Sequence, residues 1–449
     1  MIKEIYDIKT NEKKYSYIMK ATVYIYLLLI ISLNVLYCKT LKNTFKSLVD
    51  DDEIATITTD SETELFEAIK VLNKNGGTIY IDTPIIHIKN VTLTISGTFS
   101  GGIIGIRQAN GEYPRISFAE SVQSKALSGL AVFGSNKFIE YMIIEHSLTF
   151  GLEIIGNNDV FDHVISRYNQ GSGFLIYGDF NSFNFCYSYR NFDLSSYTLM
   201  NSDGFRINGE ISNVFNYCFA WDNCNSGFNY VRALNSSDLS YLHSASWNNG
   251  NINVFTGKYD YDSSYPLDKN LLTIQEIIST DENFISNYYN KKFNIENAGI
   301  NGLSVSQWVA RVNPSMEGEG FTFGNQNSSQ SIDVKRNAFY NVAFNNKAGG
   351  FVDNFNHRYN AFITDCVAFN NGINYKFPEY TLSKWTNNWS WSSKKKEILR
   401  DNASLNQPAN VNAAQRQFIN VRNQITNAVF ANMFPDGVNF DRAIRSLNP

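Results

Sequence analysis

Few of the carboxylates, amides and cations along this chain sit at spacings that a reaction would demand. Hydrolysis of a glycoside needs two carboxyl groups flanking the scissile bond. Asp203 with Asp222, or Glu317 with Glu319, are the available pairs, and neither has a recognisable hydrolase setting. His146, His163, His243 and His357 share no repeat position and read as isolated fillers or surface residues. Cys186, Cys218, Cys224 and Cys366 show no CxxC or His/Cys ligand spacing, which argues against zinc. Three of them, Cys186, Cys218 and Cys366, hold one place in a repeat and are expected to point inward as free thiols. A disulfide involving Cys224 is the alternative. With 38 basic and 42 acidic residues the net charge is −4, and Lys394 to Lys396 is the longest basic run. Nucleic acid is therefore not an expected partner.

What must position these residues is a repeat. Its pattern is aromatic or aliphatic, x, x, small or Cys, x, Ala or Ser, aromatic, x, Asn. It runs over Phe161 to Asn169, Phe183 to Asn191, Phe215 to Asn223, Tyr241 to Asn249, Ala338 to Asn346 and Ile363 to Asn371. The closing Asn residues lie 22, 32, 26, 97 and 25 positions apart, so a unit of about two dozen residues recurs with insertions. That period is too short for helix pairs and suits one coil of a parallel β-helix. Alternating β-branched and aromatic residues within each unit predict strands with one face inward. The six Asn residues should stack at one turn, because a buried amide must be hydrogen-bonded. Composition agrees: 43% hydrophobic and 14% aromatic residues can fill a large core, and 8 Pro in 449 residues suit strands and tight turns.

The fold class read from this is all-β, a right-handed parallel β-helix with a helix at the N-terminal end and a helical cap at the C-terminal end. Residues 1–38 hold Lys13, Lys14 and Lys20 before the apolar run Ala21 to Cys38. They predict a secretory signal peptide, and so a secreted protein, with a signal anchor in the membrane as the alternative. Residues 39–60 are acidic and read as a linker, and residues 61–377 form the β-helix domain. Leu65, Phe66, Ile69 and Leu72 have helical spacing, with Ser61 or Thr63 as N-cap. Asn75-Gly76-Gly77 ends that helix and Thr78 opens the first strand. Residues 378–449 hold Trp385, Trp389 and Trp391, then a helical pattern from Val411 to Phe434 with Phe418, Val421, Ile425, Val429 and Met433 on one side.

Four stretches carry a resemblance: Ile106 to Phe118, Asn201-Ser-Asp-Gly-Phe, Ala220-Trp-Asp-Asn, and Val342 to Asn354 continuing through Cys366 to Tyr375. In order and spacing they resemble polysaccharide lyase family nine, the β-helical pectate lyases, over roughly residues 78 to 377. The resemblance implies calcium-assisted β-elimination of polygalacturonate by a monomeric enzyme. A cation held by aspartates would neutralise the uronate carboxylate while a lysine takes the neighbouring proton.

Carried over residue by residue, the family pattern is incomplete. Asp203 keeps the Asp of the family's Ala-Asp-Gly-Phe. The Asp-Asp-Gly-x-Asp cluster corresponds to Asn225-Ser226-Gly227-Phe228-Asn229, and the Gly-Phe-Lys of the base to Gly320-Phe321-Thr322. Thr322 cannot serve as that base, and one carboxylate is a poor calcium site. The expectation is a degenerate calcium site at Asp203, Asn225, Ser226 and Asn229, with no cofactor assigned beyond the calcium that the family implies. Lys335 or Arg336 would be substitute bases. Arg206 and Arg232, with Phe228 and Tyr230 beside them, would bind an acidic polysaccharide such as pectate directly. A lyase working through non-standard residues, or a structural or adhesive surface protein needing only the stack, are the competing readings.

Overall fold

The Asn at the end of each repeat sets the geometry of the coil. In the computed structural model, which describes residues 53–119, 128–147, 149–191, 202–208, 212–231, 238–250, 318–323, 335–353, 360–377, 384–399 and 404–409 with 121 and 413, those Asn residues form one ladder. The side-chain amide of Asn169 donates to Asn191 Oδ1 at 3.0 Å, and the same bond repeats to Asn223, Asn249, Asn346 and Asn371 at 2.9–3.0 Å. Each Oδ1 also accepts the backbone N–H of the Asn one coil back. Every amide is fully buried and satisfied, which is what allows polar groups to line a turn of the stack.

The ladder explains the Gly-Phe that follows each Asn. A Cβ at Gly173 would lie 2.0 Å from Ser188 Oγ and 2.9 Å from Asn191 Nδ2, and one at Gly227 would lie 2.0 Å from Ser246 Oγ and 2.9 Å from Asn249 Nδ2. Only glycine lets the chain pass the ladder this closely. The Phe that follows enters the core and stacks on its equivalents. Phe174, Phe205, Phe228, Phe321, Phe351 and Tyr375 lie 4.5–5.1 Å apart in near-parallel planes. Each fully buried ring contributes about 1.5–3 kcal/mol of transfer free energy.

All pairings between described strands are parallel, in a ten-stranded and a nineteen-stranded sheet. The register follows the repeat: Phe161, Phe183, Phe215, Tyr241, Ala338 and Ile363 are successive partners. Within the larger sheet each coil bends at a residue in the left-handed region. One such column is Tyr141, His163, Phe185, Tyr217, His243 and Tyr340, with φ between 49° and 57°. Non-glycine residues there carry about 1–3 kcal/mol of strain each, offset by stacking of the six rings at 4.7–5.3 Å. His163 and His243 therefore do share a repeat position, contrary to the sequence reading. Both sit in the third place of the unit. Burial lowers the His243 imidazole to about 4, so it is neutral and acts as a ring in the stack.

The helix spans Glu62–Asn75, with Ser61 Oγ accepting the Glu64 N–H as N-cap, and buries Leu65, Ala68, Ile69 and Leu72 in the core. Phe66 is only half-buried, under Lys70. The segment read as linker contains the first strand, Glu53–Ile57, paired with Gly77–Ile81. Likewise the repeat does not stop at Phe377. Trp385 pairs with Ile363, and Trp389 to Trp391 pair with Val367 to Phe369, forming a further coil. Ser393 replaces the closing Asn, and its Oγ accepts the Asn374 N–H. Cys186, Cys218 and Cys366 are buried and free, as is Cys224, and three thiols donate to carbonyls of the preceding coil. The expected N-terminal signal and the 411–434 helical pattern lie outside the described residues, apart from Ala413.

Candidate functional site

The turn between a ladder Asn and the next Gly-Phe carries the polar residues that the sequence singled out. Two consecutive turns bring Ser202-Asp203 beside Asn225-Ser226, and the strand Phe228–Tyr230 brings Asn229 alongside. Asp203 is the centre. Its Oδ1 accepts the Asn225 amide at 2.7 Å, the Ser226 backbone N–H at 3.0 Å and the Asn229 amide at 3.2 Å. Its Oδ2 accepts the same Asn229 amide at 3.1 Å and lies 3.6 Å from Arg206 Nη1.

Asp203 has no exposed surface. Burial pushes its carboxyl up to about 6, against the opposing pull of Arg206, the Ser226 N–H and the two amides. The carboxylate is therefore an internal anchor that aims its neighbours outward. Arg206 follows by period-two alternation from the inward Phe205 and retains 20% side-chain exposure.

The network extends one coil further. Thr322 Oγ1 accepts the Tyr230 backbone N–H at 2.6 Å and donates to Asn229 Oδ1 at 3.5 Å. Ser226 Oγ donates to Glu319 Oε2 at 2.7 Å. Glu319 thus joins this cluster rather than a hydrolase pair. Sequence spacing gave no sign of it, because the separation of 93 positions between Ser226 and Glu319 hides their adjacency.

Several expected site residues fall elsewhere. Phe228 and Tyr230 are 0% and 1% exposed and belong to the inner core, since alternation turns Asn229 outward and its two neighbours inward. They cannot touch a ligand on the outer face. Arg336 is fully buried, its guanidinium 4.5 Å over the Tyr230 ring and 3.2 Å from the Tyr230 hydroxyl. Lys335 is exposed on the nineteen-stranded sheet, whereas Thr322 lies in a strand of the ten-stranded one and Asp203 just before another. Neither is placed to act as a base at this cluster. Asp222 lies on the larger sheet beside Arg190 at 3.5 Å, so it forms no pair with Asp203. Arg232 and Glu317 lie outside the described residues.

Calcium is the group the resemblance implies, and the donor set does not fit it. A calcium site gathers several hard oxygens around one point, but here the Asp203 carboxylate is already surrounded by N–H donors and Glu319 Oε2 accepts from the Ser226 hydroxyl. Among the described residues no group of three acidic, His or Cys side chains could hold a metal.

Comparison with known proteins agrees with the coil geometry: residues 47–263 match the family described as Pel9A-like, right-handed β-helix region. Over these residues the chain is similar to that family, and its fold is a right-handed parallel β-helix. The crystal structure of pectate lyase Pel9A superposes with a TM-score of 0.53 at 18% identity, over 81% of this chain and 82% of that one. A rhamnogalacturonan lyase does so with a TM-score of 0.51 at 16% identity, over 79% and 84%. No curated protein sequence matches the chain. The Pel9A-like stretch includes the whole Asp203–Asn229 cluster, and the coils from Glu319 to Trp391 continue the same stack beyond it.

Proposed function

We propose that this protein binds an acidic polysaccharide of the pectate type on the outer face of the ten-stranded sheet. Binding runs through Arg206 and proceeds without calcium-assisted β-elimination. The observation that carries this reading is the state of Asp203: buried, saturated by amide, backbone and guanidinium donors, and flanked by Asn225, Ser226 and Asn229. Thr322 stands where the resemblance implies a lysine, and a hydroxyl with a pKa far above neutrality takes no proton there. Arg206 lies 3.6 Å from Asp203 Oδ2 with 20% of its side chain exposed, and a guanidinium is the group suited to pairing with a uronate carboxylate. The names of the two structural neighbours, lyases of pectate and of rhamnogalacturonan, support a polysaccharide ligand. The apolar Ala21 to Cys38 run supports export from the cell.

Retention on immobilised polygalacturonate tests this reading. It should weaken with salt, be indifferent to chelator and drop in Arg206→Ala. Retention that requires calcium, or that is unchanged in Arg206→Ala, would sink it.

A further inference from the structure

The sheet face that carries Arg206 also carries an apolar strip. On the ten-stranded sheet the strands Leu130–Val132, Leu152–Ile154, Phe174–Ile176 and Phe205–Ile207 are successive partners. The first three end on the inward Val132, Ile154 and Ile176, so alternation turns the next residues, Phe133, Ile155 and Tyr177, outward. They are 47%, 44% and 46% exposed. The Ile155 N–H donates to the Val132 carbonyl at 2.8 Å and the Tyr177 N–H to the Ile154 carbonyl at 2.7 Å, which holds the three in one row at a strand spacing of about 4.8 Å. The turn that follows is also laddered: the Asn157 N–H donates to Ser135 Oγ at 3.0 Å and the Asp179 N–H to Asn157 Oδ1 at 2.7 Å. Asn136, Asn158 and Phe180 come next, all in the left-handed region at φ 57–59°. Asn adopts that conformation readily, whereas a bulky Phe is an outlier there. Because the Phe180 ring is 53% exposed, packing does not offset its strain. A further exposed ring thus stands in the coil that adjoins Arg206. Arg206 itself pairs with Leu175, two residues before Tyr177. One strand across and two residues along sets the Cα atoms of Tyr177 and Arg206 about 8 Å apart.

We infer that Phe133, Ile155 and Tyr177 form a stacking strip for successive sugar rings of the polysaccharide held at Arg206, which then crosses the coils toward the N-terminal end of the stack. This rests on the polysaccharide reading of that face. A pyranose offers a C–H face to an aromatic ring and hydroxyls at its edge, and the strip has the matching form. Its apolar side chains are flanked by Ser135, Asn157 and Asp179 on one side and by Glu153 on the other. From Phe133 to Tyr177 is two strand spacings, about 10 Å, close to the length of a disaccharide. Glu153 holds the outward place one coil before Leu175 and would repel a free carboxylate. The sugars over the strip are therefore uncharged, as methyl-esterified uronates are. A protein partner fits less well, since three side chains fall far short of the about 800 Å² per partner in a stable interface.

Equilibrium titration of the full chain with partly methyl-esterified polygalacturonate, and with the unesterified polymer, tests the strip. Phe133→Ala with Tyr177→Ala should weaken binding of the partly esterified polymer about tenfold. The slope of affinity against salt should stay as in the wild type, since no charge is removed. Tyr177→Phe keeps the ring and should keep wild-type affinity. Arg206→Ala should instead flatten the salt dependence, which separates the two contributions. A wild type that binds neither polymer would remove the polysaccharide reading, and the strip with it. Wild-type binding that the double alanine variant leaves unchanged would overturn the strip alone. So would a wild-type dimer that the double variant dissociates, because a second copy would then be the occupant.

Discussion

Replacing Asp203 by asparagine should flatten part of the pH dependence of stability. The carboxyl rises from its ordinary 3.8 to about 6 in the folded protein, with burial as the largest cause. That gap corresponds to about 3 kcal/mol. The sign follows from linkage: a raised carboxyl stabilises the fold fully below about pH 3.8, and this contribution is lost as pH climbs through about 6. Between about pH 4.5 and pH 7.5, this one group should remove about 2 kcal/mol. Asparagine keeps the shape but cannot ionise. It also turns an N–H toward the Asn229 amide or Arg206, a cost of about 1–3 kcal/mol that is the same at both pH values. Urea denaturation of both proteins at the two pH values isolates the titration as a difference of differences, because Asp159 and the histidines cancel. Parallel pH profiles for wild type and Asp203→Asn would refute the reasoning. Calcium that stabilises only the wild type at pH 7.5 would show that a cation, rather than amides, satisfies this carboxylate.

Asn223→Ala should cost about 3 kcal/mol in urea unfolding with an unchanged m-value. It leaves the buried Asn191 N–H without its acceptor at 3.3 Å and opens a small void. Gly227→Ala should cost about 1–3 kcal/mol through overpacking against Ser246 Oγ at 2.0 Å, and adding Ser246→Ala should recover part of that loss. Alkylation of the native protein should spare Cys186, Cys218, Cys224 and Cys366, all unexposed, with burial raising the Cys366 thiol to about 12. Rapid native labelling of any of the four would contradict the packed interior.

The Asn ladder was legible in the sequence because a buried amide tolerates few substitutes, and its spacing marks each coil whatever is inserted between coils. The final coil was not, since Ser393 stands in the closing Asn place while Asn374, three residues after Asn371, accepts the ladder bonds of Asn371. The strand Glu53–Ile57 was hidden by its brevity and the acidic residues before it. At the site, it was the resemblance to polysaccharide lyase family nine that grouped Asp203, Asn225, Ser226 and Asn229, and the structure brings them together. The facing of Phe228 and Tyr230 was readable too, because alternation about an outward Asn229 turns both inward. Contacts such as Glu319 with Ser226 depend on which coils become neighbours across a long insertion, and residue types alone do not carry that information.

The central claim is that this face holds polysaccharide without cleaving it. The direct measurement is ultraviolet absorbance of unsaturated products during incubation of the purified protein with polygalacturonate, with calcium and with chelator, beside an equilibrium binding titration of the same samples. The account predicts salt-sensitive binding and no product under either condition. Calcium-dependent product formation that disappears in Asp203→Ala would contradict it.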